Sequence, residues 1–342
     1  MAERLLEVRG LKVQFATEDG LVHAVDGIDF ELDRGQVLGI VGESGSGKSV
    51  TAMTMLGLTR GVNARFEGEV LYKGRNLLDA REEELQSIRG NEIAMIFQDP
   101  MTSLNPVYTV GAQICEGILA HNESMNKRTS RARAVELLHA VGIPNPQSRV
   151  DNYPHEFSGG MRQRAMIAMA LANNPDVLIA DEPTTALDVT IQAQIIELID
   201  RLKDEFNSAV ILITHDLGVV AEIADEILVM YAGRVVERAA TRQIFYDPQM
   251  PYAWGLLGSI PRLDRPKTER LHSIKGMPPS LINLPQGCKF RPRCPHAFEK
   301  CWEHPPLENR VEEPGHLDRC WLSVEDKRRL RDATISGELS AA

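Results

Sequence analysis

The stretch Gly42–Ser49, with the sequence GESGSGKS, fits the pattern G-x-x-x-x-G-K-[ST]. It follows the short apolar run Gln36–Val41 and precedes a segment with helical character, Lys48–Leu56. Glycines let backbone N–H groups turn inward around phosphate oxygens, and the N-terminus of the following helix favours an anion. The alternative, a glycine turn without a ligand, needs neither the strand before it nor the helix after it. The stretch therefore predicts a phosphate-binding loop at the start of an α/β fold.

This phosphate loop, Gly42–Ser49, gives its residue types distinct roles. Lys48 is expected to contact the β- and γ-phosphates of a nucleotide, and the Ser49 hydroxyl is expected to bind Mg²⁺. The residues expected at the nucleotide are Gly42, Ser44, Gly45, Gly47, Lys48 and Ser49. Kinases, GTPases and ATPases share such a loop, so the loop alone leaves the reaction open.

A second predicted strand ends in two adjacent acids. Four apolar residues, Val177–Ala180, precede Asp181 and Glu182. Near-continuous apolar strands that alternate with helices are typical of a parallel sheet covered on both faces, with the ligand at its carboxyl edge. Asp181 is then placed to hold the Mg²⁺ shell, and Glu182 to polarise a water for attack on the γ-phosphate. A solvated surface pair is the alternative, but burial of the strand would fix where these acids point.

Two further polar residues follow apolar strands toward the same edge. His215 follows Val210–Thr214 and is a candidate sensor of the γ-phosphate, although a lone histidine is more often structural. Gln98 follows Ile93–Phe97 and could orient Mg²⁺ or the attacking water, which is a weak signal by itself. Both are therefore candidates for the catalytic site, with Glu182.

The composition bounds the classes of function. The chain has 342 residues and a net charge of −10, with 38 Lys and Arg against 48 Asp and Glu. This length is typical of two domains, or of one domain with a large appendage. The acidic balance disfavours nucleic acid as a partner. No apolar run approaches ~18 residues, and Met1–Glu7 carries acids where a signal peptide would be apolar, so we expect a cytoplasmic protein without a membrane span.

A second anion site is predicted at Phe157–Arg164, FSGGMRQR. Ser158 and two glycines precede a predicted helix, Gln163–Ala172, whose N-terminus would again favour an anion. The chain would then carry two anion sites but one phosphate loop. This arrangement is unusual unless the second site serves the nucleotide of another chain.

With these motifs in this order, the sequence resembles the ATP-binding cassette family across about residues 5–260. The matching motifs are the phosphate loop, Gln98 as the Q-loop, Ser158–Gly160 in the signature, Asp181 and Glu182 as Walker B, Ala186–Asp188 as the D-loop and His215 as the switch histidine. Phe157 and Met161 depart from the commonest signature, but its serine and glycines are intact. The resemblance implies an ATP-hydrolysing P-loop NTPase cassette of α/β class, with a mixed sheet core, an antiparallel β subdomain and an α-helical subdomain.

The resemblance also implies that two cassettes pair head to tail. Ser158 and Gly160 would contact ATP held by the partner, and Asp188 would couple the two sites. Phe15, at the end of the first predicted strand, is the candidate for stacking on adenine, with Val13 and His23 as nearby alternatives.

A closer resemblance, to the ATP-binding subunits of oligopeptide and dipeptide importers, rests on Gln98–Pro106, Thr184–Thr190 and a cysteine-bearing tail. It implies an ATPase that energises peptide import, with nickel, oligosaccharide or glutathione as alternative cargo and a non-transport ABC ATPase as the weaker interpretation. The implied partners are a second and different ATPase subunit, two membrane permeases and an extracytoplasmic substrate-binding protein, at the cytoplasmic face of the cell membrane. The groove beside Gln98 would receive a coupling helix, although ordinary core packing of Met101 and Leu104 is equally open.

The composition changes near Ile260, where prolines crowd the sequence and regular structure thins out. We therefore predict a nucleotide-binding domain over residues 1–260, with a helical subdomain at about 106–165. An irregular C-terminal extension would occupy residues 261–342.

Four of the five cysteines lie in this extension, with the spacing C-x5-C-x6-C-x18-C. They are Cys288, Cys294, Cys301 and Cys320. Four thiolates suit either zinc or an iron–sulfur cluster. No tight C-x(2–4)-C knuckle is present, which together with the resemblance to importer tails favours a [4Fe–4S] cluster over zinc, with no metal as the third interpretation.

Overall fold

The computed structural model of the chain describes residues 3–185, 187–260 and 274–336. The chain folds as two compact units. The first unit comprises Met1–Glu7, Glu31–Val37 and Leu71–Ile213, and the second comprises Val8–Phe30, Leu38–Val70 and Thr214–Ala342. The boundary that we predict near residue 260 borders residues 261–273, which lie outside the described residues, so the division at 260 stays a prediction.

The secondary structure alternates strands and helices in the manner of an α/β protein. The strands are β1 (Arg4–Thr17), β2 (Gly20–Asp33), β3 (Val37–Val41), β4 (Ala64–Tyr72), β5 (Arg75–Asn76), β6 (Ile93–Ile96), β7 (Val177–Asp181), β8 (Ala209–Thr214), β9 (Glu226–Tyr231), β10 (Arg234–Ala240), β11 (Glu308–Asn309) and β12 (Leu317–Asp318). The helices are α1 (Lys48–Met55), α2 (Glu82–Ile88), α3 (Pro100–Ser103), α4 (Val110–His121), α5 (Lys127–Ala140), α6 (Pro146–Arg149), α7 (Gly159–Ala170), α8 (Val189–Phe206), α9 (Leu217–Ile223), α10 (Thr241–Tyr246), α11 (Pro251–Gly258) and α12 (Val324–Ser336). Short 3₁₀ turns occupy Pro154–Glu156, Arg291–Arg293 and Glu299–Trp302.

The first unit is built on parallel strands in the order β8-β7-β6. Val177 of β7 pairs with Ile93 on one side and with Ala209 on the other. Every residue of β7 and β8 is buried, which is why both strands appear in the sequence as continuous apolar runs. Because the strands are parallel, the residues that follow β6 and β7, Gln98 and Glu182, leave the sheet at the same edge.

Helices α4, α5 and α7 pack against one another in the first unit. Side-chain caps fix where two of them begin: Thr109 accepts a hydrogen bond from the backbone of Ala112 at α4, and Asn126 accepts from Arg128 and Thr129 at α5. Helices α4 and α5 lie in the predicted helical region at about 106–165, and α7 overlaps the predicted helix Gln163–Ala172 but begins earlier, at Gly159.

The second unit contains a hairpin and a mixed sheet. Strands β1 and β2 are joined by the tight turn at Glu18-Asp19, and β4 lies beside β1 in the order β2-β1-β4. In the mixed sheet β3 runs parallel to β9, with Leu38 paired to Glu226, and β9 runs antiparallel to β10. The strand β3 therefore delivers the phosphate loop at its carboxyl end, as the sequence predicts.

The C-terminal extension is more regular than the sequence suggests. Its strand β12 pairs antiparallel with β10, where Asp318 lies opposite Glu237, and β11 pairs with β12. The chain then forms α12, at whose start Ser323 accepts a hydrogen bond from the backbone N–H of Asp326. The extension thus contains these regular segments, and its two short strands depend on pairing with the distant strand β10.

Among the residues that the structure describes, no helix is both long enough and apolar enough to cross a membrane.

Candidate functional site

The phosphate loop is shaped by glycines that no other residue could replace without strain. Gly42 has φ +156°, and a Cβ there would lie 2.2 Å from the carbonyl oxygen of Met230. Gly47 has φ +102° and caps α1, and a Cβ there would lie 2.4 Å from the carbonyl oxygen of Ala24. The pattern of glycines that predicts the loop is therefore required by its backbone conformation and close packing.

The side chain of Lys48 folds back onto the backbone of this loop. Its Nζ donates hydrogen bonds to the carbonyl oxygens of Gly42, at 2.7 Å, and Glu43, at 3.0 Å. The side chain is buried, whereas Ser44 and Gly45 at the tip of the loop are exposed. The ammonium group is thus held at the centre of the loop, where an anion enclosed by the loop would meet it.

The three candidates for adenine stacking differ in exposure. Val13 is fully buried and has no surface to offer a base, so this alternative is wrong. The ring of His23 shares a hydrogen bond with the side-chain nitrogen of Gln14, at 3.2 Å. Phe15 is partly exposed near the end of β1, so it stays the candidate.

Glu182 has the most constrained backbone of the predicted catalytic residues. It directly follows β7 with φ +47°, a left-handed conformation that is uncommon for a residue with a side chain. Its backbone N–H donates to the carbonyl oxygen of Ile213, at 2.8 Å. Strain of this kind is frequently stored at functional sites, because it aims a side chain in a fixed direction.

The carboxylate of Glu182 meets Gln98 and a residue that the sequence did not single out. The Gln98 side-chain amide donates to Glu182 Oε2, at 2.9 Å, and the hydroxyl of Thr185 donates to the same oxygen, also at 2.9 Å. The structure thus brings two of the predicted catalytic residues together within the first unit. Thr185 lies in the stretch Thr184–Thr190 used for the resemblance, but its role depends on a turn that the sequence does not reveal.

Asp181 is the last residue of β7 and is buried, paired in register with Ile213 of β8. His215 follows β8 directly and is exposed, and the next residue, Asp216, caps α9 through Gly218. The positions of both residues at strand ends agree with the sequence prediction.

Ser158 and Gly160 lie at the start of α7, where Ser158 is the N-cap. Its hydroxyl accepts a hydrogen bond from the backbone N–H of Met161, at 3.4 Å. A Cβ on Gly160 would lie 3.2 Å from Ile191 of α8, so a glycine lets the two helices approach closely. Ser158 is exposed, so this helix N-terminus is accessible to an anion.

Asp188 is the N-cap of α8, and its carboxylate accepts a hydrogen bond from the backbone N–H of Ile191, at 3.0 Å. Asp188 and the following Val189 are exposed. Within the D-loop Ala186–Asp188, Ala186 lies outside the described residues.

In the segment after Gln98, the two residues whose roles the sequence leaves open differ in exposure to solvent. Leu104 is 3% exposed and packs in the core, whereas Met101 is 61% exposed. The sulfur of Met101 lies 2.7 Å from a guanidinium nitrogen of Arg162. Core packing is therefore the correct interpretation for Leu104 and the wrong one for Met101.

The four cysteines of the extension line one small cavity in the second unit, together with Phe290, His296 and Phe298. All are free thiols, and burial raises the pKa of the Cys294 and Cys320 thiols to about 12. Among the described residues, however, no group of three or more His, Cys, Asp or Glu side chains is arranged so that it could hold a metal ion. The structure thus brings the predicted ligands together without forming a coordination site.

The predicted nucleotide residues fall in both units. The second unit holds the phosphate loop, Phe15 and His215, and the first holds Gln98, Ser158, Gly160, Asp181, Glu182 and Asp188.

Comparisons with known proteins agree with the sequence resemblance. A family model described as ABC transporter matches residues 25–185, and one described as oligopeptide/dipeptide transporter, C-terminal region, matches residues 236–301. Among solved structures, the dimeric ATP-binding cassette MJ0796 in a post-hydrolysis state with ADP and phosphate has a TM-score of 0.62 and 28% identity, and covers 69% of this chain and 99% of its own. The predicted cassette fold is confirmed.

Two curated relatives are similar over nearly the full chain. The oligopeptide transport ATP-binding protein OppD of Salmonella typhimurium is 54% identical over 325 residues, which cover 95% of this chain and 96% of that protein. The dipeptide transport ATP-binding protein DppD of Lactococcus lactis is 54% identical over 321 residues, which cover 94% of this chain and 91% of that protein. The chain therefore belongs to the ABC transporter family, among its oligopeptide and dipeptide transport ATP-binding proteins.

Proposed function

We propose that the chain hydrolyses ATP to energise an importer of dipeptides or oligopeptides. The observation that carries this proposal is the close similarity, over 94–95% of the chain, to proteins named for oligopeptide and dipeptide transport. The hydrogen bonds that join Gln98, Thr185 and Glu182 support the hydrolytic part, because they aim one carboxylate from the edge of the sheet.

The residues divide the chemistry between phosphate binding and water activation. Lys48 and the N–H groups of the phosphate loop bind the phosphates, and Glu182 accepts the proton of the attacking water. His215 contacts the γ-phosphate, and Phe15 stacks on the adenine. The roles of these residues come from the family resemblance, and their placement at strand ends and loop tips supports it.

Mg²⁺ suits the donors that the family assigns to it, since Ser49, Asp181 and Gln98 offer hydroxyl, carboxylate and amide oxygens. The amide nitrogen of Gln98 donates to Glu182, so its carbonyl oxygen is the atom left to meet a cation. When bound, the ion would neutralise charge on the β- and γ-phosphates.

The signature Ser158–Gly160 serves the nucleotide of a second cassette in this proposal. Ser158 and Asp188 are both exposed at helix N-termini, as residues that face a partner must be. The second cassette is a different chain, and Asp188 couples the two sites. The assembly includes two membrane permeases and an extracytoplasmic binding protein, and this chain sits at the cytoplasmic face of the membrane.

The contact with a permease is assigned to the surface after Gln98. Four apolar side chains near Gln98 in the sequence are more than two-fifths exposed: Phe97, Met101, Val107 and Tyr108. Such a patch is typical of a surface that binds another protein.

Purification of the tagged chain from detergent-solubilised membranes tests the assembly. We expect two permeases and a second, different ATPase in equal amounts, and peptides on the associated binding protein. Recovery of the chain without any permease would contradict the transport function. Nickel, oligosaccharide or glutathione on the binding protein would contradict the proposed peptide cargo but not the proposed role as a transport ATPase.

We further propose that the four cysteines hold a [4Fe–4S] cluster, with zinc as the alternative. Cys288, Cys294, Cys301 and Cys320 line one cavity, and four thiolates are the ligand set of such a cluster. An anaerobic preparation is expected to be brown, to absorb near ~400 nm and to contain iron and sulfide. A colourless preparation with one zinc per chain would favour the alternative, and one without metal would exclude both.

A further inference from the structure

A partly buried ion pair joins the cysteine segment, Cys288–Cys301, to the phosphate loop within the second unit. The guanidinium of Arg293, one residue before Cys294, forms two parallel hydrogen bonds with the carboxylate of Glu43, at 2.6 and 3.0 Å. Glu43 is the second residue of the phosphate loop, next to Gly42. The two residues are 250 positions apart in the sequence, so no local geometry requires them to meet.

The Arg293 side chain is fixed before it reaches Glu43. It is 5% exposed, and its guanidinium also donates to the carbonyl oxygens of Lys275 and Ile274, at 3.1 and 3.3 Å. It lies 3.4 Å from the hydroxyl of Tyr231 as well. A planar guanidinium with this many partners has one orientation, so the position of the Cys294 backbone determines where the carboxylate of Glu43 is held.

The backbone of Glu43 is held from the same side. Its N–H donates to the hydroxyl of the buried Tyr252, at 2.8 Å. The rings of Tyr231, Tyr252 and Phe290 form a cluster with centroid distances of 4.6 to 5.4 Å. Phe290 lies between Cys288 and Cys294, so the cysteine segment contributes both the guanidinium and part of the aromatic support.

Hydrogen bonds make the cysteine segment a compact turn that moves as one piece. The backbone N–H groups of Arg293 and Cys294 donate to the carbonyl oxygen of Phe290, at 2.9 and 3.0 Å. The N–H of Cys288 donates to the carbonyl oxygen of Cys301, at 2.9 Å. A change in how Cys288 and Cys294 are held would therefore displace Arg293.

The position of Glu43 in turn affects the position of Lys48. Lys48 Nζ donates to the carbonyl oxygen of Glu43, the residue that Arg293 and Tyr252 hold. We propose that Arg293 is a positioning residue that ties the phosphate loop to the cysteine segment Cys288–Cys301, so that nucleotide affinity depends on the conformation of this segment. The inference rests on the proposed function, because it requires that the loop bind ATP.

Nucleotide affinity of the purified full-length chain tests the ion pair, with a fluorescent methylanthraniloyl-ATP and Mg²⁺ as the probe. Arg293→Gln is expected to weaken binding about tenfold, because a bidentate charged pair is lost. Arg293→Lys keeps the charge but not the two parallel hydrogen bonds, so its nucleotide affinity is expected to lie between those of Arg293→Gln and the wild type. Arg291→Gln is the matched control, since Arg291 lies on the same turn but stacks on Trp302, and its affinity should stay within twofold of the wild type.

A double-mutant cycle separates positioning from general damage. Glu43→Gln is expected to weaken binding about as much as Arg293→Gln, and the double variant no more than either alone, because both remove one interaction. Thermal unfolding of each variant establishes that it is folded. Wild-type affinity in Arg293→Gln, or fully additive losses in the double variant, would overturn the inference.

The link to the cysteines is tested in the same assay. Cys294→Ser is expected to weaken nucleotide binding in the wild-type background and to add nothing in the Arg293→Gln background. Equal effects of Cys294→Ser in both backgrounds, or none in either, would overturn the link. If the wild type itself binds no nucleotide, the proposed function fails first; if it binds and Arg293→Gln binds equally well, only this inference fails.

Discussion

At the scale of single residues, hydrogen bonds within the first unit fix both the backbone and the carboxylate of Glu182. Its backbone is held in a left-handed conformation by the hydrogen bond to Ile213, and its Oε2 accepts from both Gln98 and Thr185. Two donors on one oxygen fix the orientation of the carboxylate. This fixed orientation supports the proposed role of Glu182 as the general base.

Thr185→Val removes one of these donors while keeping the shape of the side chain. We expect kcat for ATP to fall about tenfold, since a hydrogen bond to a charged group contributes about 1.5 kcal/mol, and nucleotide affinity to stay unchanged. Thr185→Ser, which restores the hydroxyl, should recover most of the rate. Steady-state hydrolysis and nucleotide titration check the two parts separately, and an unchanged kcat in Thr185→Val would show that the hydroxyl does not orient the base.

The sequence singles out Gln98, Asp181 and Glu182 as candidates because each lies at, or within two residues of, the end of an apolar strand. It does not reveal that Thr185 contacts Glu182, because this contact depends on the turn after β7. It also does not reveal the positive φ of Glu182, whose backbone N–H bonds to β8. The ion pair between Glu43 and Arg293 is likewise invisible in the sequence, since nothing local connects a loop residue to a tail residue 250 positions away.

At the scale of elements, the strand–loop–helix unit of β3, the phosphate loop and α1 is defined by its glycines. Gly47 has φ +102°, and the space for a side chain is filled by the carbonyl oxygen of Ala24. The loop conformation and the start of α1 therefore depend on one position that accepts no side chain.

Gly47→Ala is expected to displace this helix N-terminus and to lower nucleotide affinity at least tenfold, because the new Cβ would lie 2.4 Å from a backbone oxygen. Gly74→Ala is the matched control: Gly74 has φ +79°, but no heavy atom lies within 4 Å of the position that its new methyl group would take. It should cost about 1 kcal/mol of stability and leave nucleotide affinity intact. Nucleotide titration and thermal unfolding compare the two, and equal affinities would contradict this account of the loop.

Long buried elements are predictable from the sequence, whereas short ones are not. Strands β7 and β8 are buried throughout and apolar except for their last residues, Asp181 and Thr214, so the sequence predicts both. The two-residue strands β11 and β12 carry no such pattern, because their pairing with β10 is set by tertiary contacts.

At the scale of the whole molecule, the extension is anchored in the second unit by charges that are largely shielded from solvent. Lys289, 7% exposed, donates to the carboxylate of Asp26 on β2, at 2.7 Å, and Arg234 donates to the same oxygen, at 2.8 Å. Burial by itself raises the pKa of the Asp26 carboxyl, but these two cations outweigh it and lower the pKa to about 2. The cysteine segment is thus attached to the hairpin that precedes the phosphate loop.

Asp26→Asn is expected to lower the free energy of unfolding at pH 7 by about 2 kcal/mol, because it removes the charge that Lys289 and Arg234 share. A carboxyl whose folded pKa is depressed stabilises above its unfolded pKa near 4, so the difference from the wild type should shrink by about half at pH 3. Asp19→Asn, in the exposed turn after β1, is the control and should change little. Urea unfolding from pH 7 to pH 3 checks this, and a difference independent of pH would contradict it.

Peptide uptake by cells that express Glu182→Gln in place of the wild-type chain tests the central claim most directly. We expect uptake of a labelled tripeptide to fall by at least a hundredfold, since general base catalysis contributes about 10²- to 10⁴-fold, while nucleotide binding and uptake of free amino acids persist. Glu197→Gln, which changes an exposed acid on α8, should leave peptide uptake unchanged. Peptide uptake at the wild-type rate in Glu182→Gln would contradict the proposal that this chain drives peptide import with Glu182 as its base.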